Sequence, residues 1–203
     1  MKSFRIFIET TESPIIFIDL DSTLVRTSFR PEWAEMLLSG EDRFETLRNI
    51  RLKFLSFTAG EQMATMKKLG GIEINEDAVT FERPGARDFL ISCMGIARTS
   101  ILTQGRCDFQ ARVVKKLDLP VQELFGNLSR HSVDYGSKIP QSSKAILIDD
   151  MNQNSLLVQR KLKAIGLPKD SDRFIKINAW DGRDKKNDAF DSIFKNIRNL
   201  VKT

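Results

Sequence analysis

The chain has 203 residues, 41% of them hydrophobic and 29% charged, with a formal net charge of +5. That length is one globular domain, or one domain with a sizeable insertion, and it can bury a core without cross-links. Cys93 and Cys107 match no metal-ligand spacing and are read as free thiols in a reducing compartment. The start is too short and too charged for a signal peptide and no apolar run reaches membrane-spanning length, so the expectation is a cytoplasmic protein without a membrane partner. The mild basic balance favours an acidic partner through a salt-screened field. Lys161, Lys163 and Lys185, Lys186 are read as solvated helix faces, because the aromatic interleaving of single-strand binders is missing.

In chain order, Ile6–Ile8 reads as a short edge strand and Pro14 as the entry to a buried strand, Ile15–Ile18. From Pro31 to Leu69, apolar residues including Trp33, Leu37, Leu47, Phe54 and Leu55 recur at helical spacing and predict helices ended by Gly70-Gly71. Ile72, Ile74, Val79 and Phe81 then alternate around Asn75-Glu76-Asp77 as a hairpin. Pro84-Gly85 opens a helix through Met94. Thr99–Leu102 is a second buried strand, followed by a basic amphipathic helix from about Phe109 to Leu117 that Leu119-Pro120 stops. Leu124-Phe125 and Leu128 mark a short strand, and Ala145–Ile148 is the third strong one. Ile175–Ile177 and a last helix near Asp188–Val201 complete an alternating β/α pattern. Such alternation predicts an α/β fold with a mostly parallel sheet covered by helices.

The chemistry lies at the strand ends. Asp19-Leu20-Asp21-Ser22-Thr23 leaves the first strand at its carboxyl end, Thr103 leaves the second, and Asp149-Asp150 leaves the third. Open α/β sheets bind ligands there. Acidic residues so close together repel one another unless a cation or a shared proton offsets them, and a divalent metal is the simplest offset. The ordinary alternative is a helix cap after a strand. With Lys138 ahead of the third strand, the set suits phosphoryl transfer through an enzyme aspartate. Bland readings stand beside the other candidates: His131 is the single histidine and reads as a loop residue. Trp33 and Trp180 read as packing and Asn152 and Asn154 as a helix start, while Arg26 is either a phosphate contact or a surface ion pair. Gln104 and Gly105 are close enough to Thr103 to offer backbone N–H groups to phosphate, and Arg106 adds charge.

These four motifs together resemble the haloacid dehalogenase superfamily of aspartate-nucleophile phosphatases, over most of the chain. Asp19–Val25, Phe81–Leu90 and Ala179-Trp180-Asp181-Gly182 look like its NLI-interacting-factor-like branch, which includes small phosphatases of the RNA polymerase II C-terminal domain. The resemblance implies a three-layer Rossmann-like core as a single domain over 1–203, with a small, helical cap or insertion at 27–82. It also implies Mg²⁺ as cofactor. Asp19 is then the nucleophile and Asp21 the general acid/base; Thr103, Gln104 and Lys138 hold the phosphoryl group. Asp19, the Asp21 carbonyl, Asp150 and Asp149 form the metal site, with Asp150 the direct ligand and Asp149 orienting a metal-bound water. Lys144 competes with Lys138 for the lysine role. The branch usually has Glu where Ser22 stands, and Asp-Asn-Ser-Pro in place of Asp149-Asp150-Met151-Asn152. The leading expectation is a Mg²⁺-dependent phosphatase acting on phosphoprotein or a phosphorylated small molecule. The alternatives are a non-catalytic binding module and a nucleic-acid 3′-end phosphatase.

Overall fold

A computed structural model describes residues 13–33, 54–127, 139–182 and 189–202. Its centre is a five-stranded sheet of β1 (Ile15–Ile18), β5 (Arg98–Arg106), β6 (Glu123–Asn127), β7 (Ala145–Asp149) and β8 (Phe174–Lys176). The spatial order is β6-β5-β1-β7-β8 and every pairing is parallel. β1, Ile-Ile-Phe-Ile, is buried on both faces, as a central parallel strand requires. Helices α2 (Ala86–Met94), α3 (Cys107–Leu117), α4 (Leu156–Ala164) and α5 (Ala189–Lys202) connect or follow the strands.

Side-chain alternation divides the core into two layers. Ile16, Ile18, Ile101, Ile146 and Ile148 pack with Phe89 and Leu90 of α2, Val113 and Leu117 of α3, and Phe190, Ile193 and Ile197 of α5. Ile15, Phe17, Ala145 and Leu147 pack on the other face against Val158 and Leu162 of α4, with Ile165 and Leu167 beyond it. This is the three-layer α/β core that the motif pattern implied.

The segment between the first two motifs is mixed rather than purely helical. It contains α1 (Ala59–Lys68), whose Thr58 and Glu61 form a reciprocal cap. It also contains an antiparallel sheet ordered β2-β4-β3, from β2 (Val25–Phe29), β3 (Ile72–Asn75) and β4 (Ala78–Glu82). The β3–β4 hairpin is the expected one. β2 carries little strand signal in the sequence, because Val-Arg-Thr-Ser-Phe has one strong apolar residue at each end. Trp33, Phe54, Met63, Met66, Val79, Phe81 and Trp180 give this segment a small core of its own. The predicted strand Ile6–Ile8 and part of the predicted helical stretch lie outside the described residues.

Ile148 is fully buried in the α2–α5 layer, whereas Leu156 is 65% exposed. Ile148→Ala is expected to cost about 2–5 kcal/mol, from lost transfer energy plus a cavity. Leu156→Ala should stay within about 0.5 kcal/mol of the parent. Urea unfolding with unchanged m-values checks both.

Candidate active site

β1 sits between β5 and β7, so its carboxyl end is flanked by theirs. Ile18 is level with Ile101 on one side and Ile148 on the other. One step further along, Asp19 stands beside Asp149, and the Asp19 N–H donates to the Ile148 carbonyl at 2.9 Å. Alternation sends Asp19 and Asp149 to the face of Phe17 and Leu147, the face covered by α4. Asp19, Asp149 and Asp150 gather there, with one oxygen of each within 4.8 Å of the others.

The ammonium in this cluster comes from Lys161. Its Nζ donates to Asp19 Oδ1 and to Asp149 Oδ2, each at 2.6 Å, and the side chain is only 1% exposed. This corrects the reading of Lys161 as part of a solvated helix face. Lys163 on the same helix is exposed, as expected. A signal was present in the sequence: Lys161 falls within the apolar stripe Val158, Leu162, Ile165, at i+3, i+4 and i+7 from the first member. A charge on the buried stripe of a helix needs a buried partner. Lys138 and His131 lie outside the described residues. Lys144 precedes β7 at its amino end, roughly 16 Å of extended strand from Asp149, further than a lysine side chain spans.

Asp149 spends its second oxygen, Oδ1, on the Met151 N–H at 2.9 Å. Asp150 is half-buried, and its Oδ1 receives a long bond, 3.4 Å, from the Thr23 hydroxyl. Burial dominates the electrostatics. It pushes the Asp19 carboxyl up to about 7, against the opposing pull of Lys161 and with a further push from Asp149. Burial likewise raises Asp150, helped by the neighbouring Asp149 charge.

Asp21 belongs to a different environment. The turn after β1 holds Ser22 in the left-handed region, φ 61°. It is fastened by the Ser22 N–H to the Val25 carbonyl and by the Trp180 N–H to the Ser22 carbonyl, both 2.7 Å. Buried Arg83 donates to the carbonyls of Thr23 at 3.2 Å and Asn178 at 3.0 Å. The Asp21 carboxylate accepts from Gln110 Nε2 of α3 at 2.6 Å through Oδ2. Its Oδ1 is buried and has no hydrogen-bond partner among the described residues. Burial raises this carboxyl too, and the Thr27 hydroxyl, the Gln110 amide and the Arg26 charge pull it part of the way back.

Thr103 is buried, and its Oγ1 accepts from the Gly105 N–H at 3.1 Å. The Gly105 N–H is therefore occupied rather than offered to a ligand. The Gln104 amide nitrogen is buried without a partner among the described residues. β5 also runs on through these residues to Arg106, where the sequence predicted a stop at Thr103; its pairing with β6 shifts between Leu102 and Arg106. Arg106 is paired with Asp108 at 3.0 and 3.1 Å. Arg26 makes a surface ion pair with Glu32 at 4.0 Å while still acting on Asp21. Asn152 Oδ1 accepts from the Asn154 N–H at 2.9 Å, just ahead of Ser155, the N-cap of α4, so these two asparagines lead into the helix. Trp33 and Trp180 are packing residues.

The donor set is all oxygen, and three carboxylates against one ammonium leave an excess that a hard divalent cation such as Mg²⁺ matches. Three of the sequence-predicted residues, Asp19, Asp149 and Asp150, thus converge, with Asp21 turned to α3 beyond the same strand and Thr103 on the adjoining strand. Lys161 and Gln110 were not anticipated. Gln110 carries no motif signature, and only the tertiary contact between α3 and the turn after β1 reveals it.

The family model of NLI interacting factor-like phosphatases matches residues 14–202. None of the curated proteins matches the sequence. Among solved structures, the fission yeast RNA polymerase II CTD phosphatase Fcp1 bound to beryllium fluoride is 14% identical, with a TM-score of 0.42 over 95% of this chain and 51% of that one. A second structure of Fcp1, described as an essential RNA polymerase II CTD phosphatase, is 15% identical, with a TM-score of 0.46 over 95% of this chain and 48% of that one. The chain spans about half the length of these two Fcp1 chains. With the Asp19–Thr23, Thr103 and Asp149-Asp150 motifs at the carboxyl edge of one parallel sheet and a family match across nearly its whole length, the chain belongs to the NLI interacting factor-like phosphatases of the haloacid dehalogenase superfamily.

Proposed function

We propose that the protein is a Mg²⁺-dependent phosphomonoesterase that works through a phosphoaspartate on Asp19. The observation that carries this reading is the Lys161 ammonium between Asp19 and Asp149, with Asp21 held apart on the Gln110 side. Lys161 occupies Asp19 Oδ1, which leaves Oδ2 as the attacking oxygen. Oδ2 bonds to phosphorus as the bond to the leaving oxygen breaks. The leaving oxygen keeps that electron pair and takes the proton from Asp21. Asp21, now a carboxylate, then accepts a proton from water as the water oxygen attacks phosphorus. The bond to Asp19 breaks, its electron pair restores the Asp19 carboxylate, and inorganic phosphate is released.

Lys161 takes the role first expected of Lys138 or Lys144, with the Thr103 hydroxyl and the Gln104 amide on the phosphoryl side. Asp19, Asp150 and the Asp21 carbonyl would hold Mg²⁺, which supplies neutralisation of the phosphoryl oxygens. Asp149 suits an orienting role because both its oxygens are already engaged. A non-catalytic module would need neither the acid pair nor a buried lysine between acids. The substrate class is a phosphomonoester, and phosphoprotein, small-molecule and 3′-phosphorylated nucleic-acid substrates are separated by direct comparison.

Three outcomes are expected. With Mg²⁺ and para-nitrophenyl phosphate, Asp19→Asn should lose about 10³-fold or more in kcat, and turnover equal to wild type would overturn the nucleophile. Lys161→Met should abolish turnover and, by leaving buried Asp19 and Asp149 uncompensated, cost about 3–5 kcal/mol in stability. Lys144→Met and Lys138→Met should retain turnover; inactivity of Lys138→Met beside an active Lys161→Met would return the role to Lys138.

The third outcome concerns pH. In metal-free protein the Asp19 pKa is raised from 3.8 to about 7, so between these values the native state binds more protons than the unfolded state. The contribution of Asp19 is fully present below about 3.8 and is lost as pH rises through about 7. Asp21 and Asp150 shift in the same direction. Thermal unfolding in chelator should therefore show stability falling across this window, and added Mg²⁺ should stabilise more at its upper end than at its lower end.

A further inference from the structure

We propose that Gln110 is a positioning residue for the leaving-group proton: it holds Asp21 Oδ2 as a pure acceptor, so that Oδ1 is the oxygen that carries the proton to the substrate. This rests on the phosphomonoesterase reading above and adds the residue that decides which oxygen of Asp21 acts.

Three observations support it. Gln110 is almost fully buried on α3, and its Nε2 lies 2.6 Å from Asp21 Oδ2. An amide N–H can only donate, and an oxygen receiving it is the unprotonated one of a neutral carboxyl. Asp21 Oδ1 is buried and accepts no hydrogen bond from the described residues, although the Thr27 hydroxyl is close enough to the carboxyl to lower it. An unpartnered buried carboxyl oxygen is costly and is retained where a transient partner completes it. The third observation is Gly105. A Cβ on this glycine would lie 2.1 Å from Gln110 Nε2, 2.7 Å from its Cγ and 2.8 Å from its Cδ. The glutamine reaches Asp21 by crossing the space that a side chain at position 105 would fill. Glycine here is thus explained by the path of one neighbouring side chain, two residues after Thr103.

The protonation step is the transfer from Asp21 Oδ1–H to the leaving oxygen as its bond to phosphorus breaks, and the carboxylate left behind keeps the electron pair of the O–H bond. A well-stabilised leaving group such as para-nitrophenolate gains little from that proton, whereas an alkoxide needs it. General-acid assistance is worth about 10²–10⁴-fold when fully in place. Gln110→Met keeps the volume and removes the donor. It should lower kcat/KM for an alkyl phosphate or a phosphoserine peptide by about 10-fold or more relative to its effect on para-nitrophenyl phosphate. kcat/KM is the chosen readout because it reports enzyme phosphorylation, the step that uses the acid, even when hydrolysis of the phosphoaspartate limits kcat. Gly105→Ala, which displaces the same amide through a different residue, should reproduce the pattern even where Gln110→Met folds poorly. A uniform loss across leaving groups in both folded variants would overturn the positioning role while leaving the phosphatase reading intact. An inert wild-type enzyme with every phosphomonoester would instead overturn the phosphatase reading, and this role with it.

Discussion

The structure depends on an excess of negative charge at one edge of a parallel sheet and on the buried Lys161 ammonium placed against it. Parallel strands in register bring Asp19 and Asp149 side by side, and Asp150 follows at once. At an effective dielectric of about 20, two unit charges 4 Å apart repel by roughly 4 kcal/mol. Lys161 answers this with two bonds of 2.6 Å. It is held by the packing of Val158 and Leu162 on Phe17 and Leu147. The apolar layer under α4 is therefore also the mount of the ammonium. Burial, with the neighbouring Asp149 charge, raises Asp19, and the charge still uncompensated is what makes an oxygen-ligated divalent cation a natural occupant.

The two acids of the first motif differ because the chain turns between them. Asp19 is still in register with β7 and takes the α4 face. Asp21 lies beyond the strand, in a turn that Ser22, Trp180 and Arg83 fasten, and meets α3 instead. One carboxylate is paired with an ammonium and the other with a neutral amide. A nucleophile must stay ionised, and a general acid must be able to hold a proton. The Lys161 ammonium beside the first opposes the burial that raises it, and the second, raised by burial, is hydrogen-bonded by the neutral Gln110 amide.

The core was legible in the sequence because it is written in strong periodicity. Ile15–Ile18, Ala145–Ile148 and the amphipathic helix ending at Leu117 fall where pattern and turn residues place them. The acids were legible for a related reason, since each directly follows a strand. Less was visible in the insertion, where β2 has little apolar content and is a strand through pairing with β4. Lys161 was misread because local charge clustering was weighed ahead of its place on the apolar stripe of α4. Gln110 could not be found locally: Asp21 is 89 positions away, and only the folded contact joins them.

The same geometry divides the site between core and insertion. Asp19 directly continues β1 of the central sheet. Asp21 is bridged to Val25, the first residue of β2, which pairs through Phe29 with β4. Just past β4, the Arg83 N–H donates to the Leu24 carbonyl at 2.9 Å, and its guanidinium reaches the Thr23 carbonyl at 3.2 Å. A closed loop of hydrogen bonds thus runs from the proposed general acid through the insertion sheet and back to the first motif. Phe29, at the far end of β2, stacks on Phe109 beside Gln110, with ring centroids 5.7 Å apart. The proposed nucleophile is therefore built into the central sheet, where attack on phosphorus would be the same for every phosphomonoester. The proposed acid is built into the base of the segment between the first two motifs, and the amide beside it comes from α3; in the proposed reaction this side meets the group which differs between substrates.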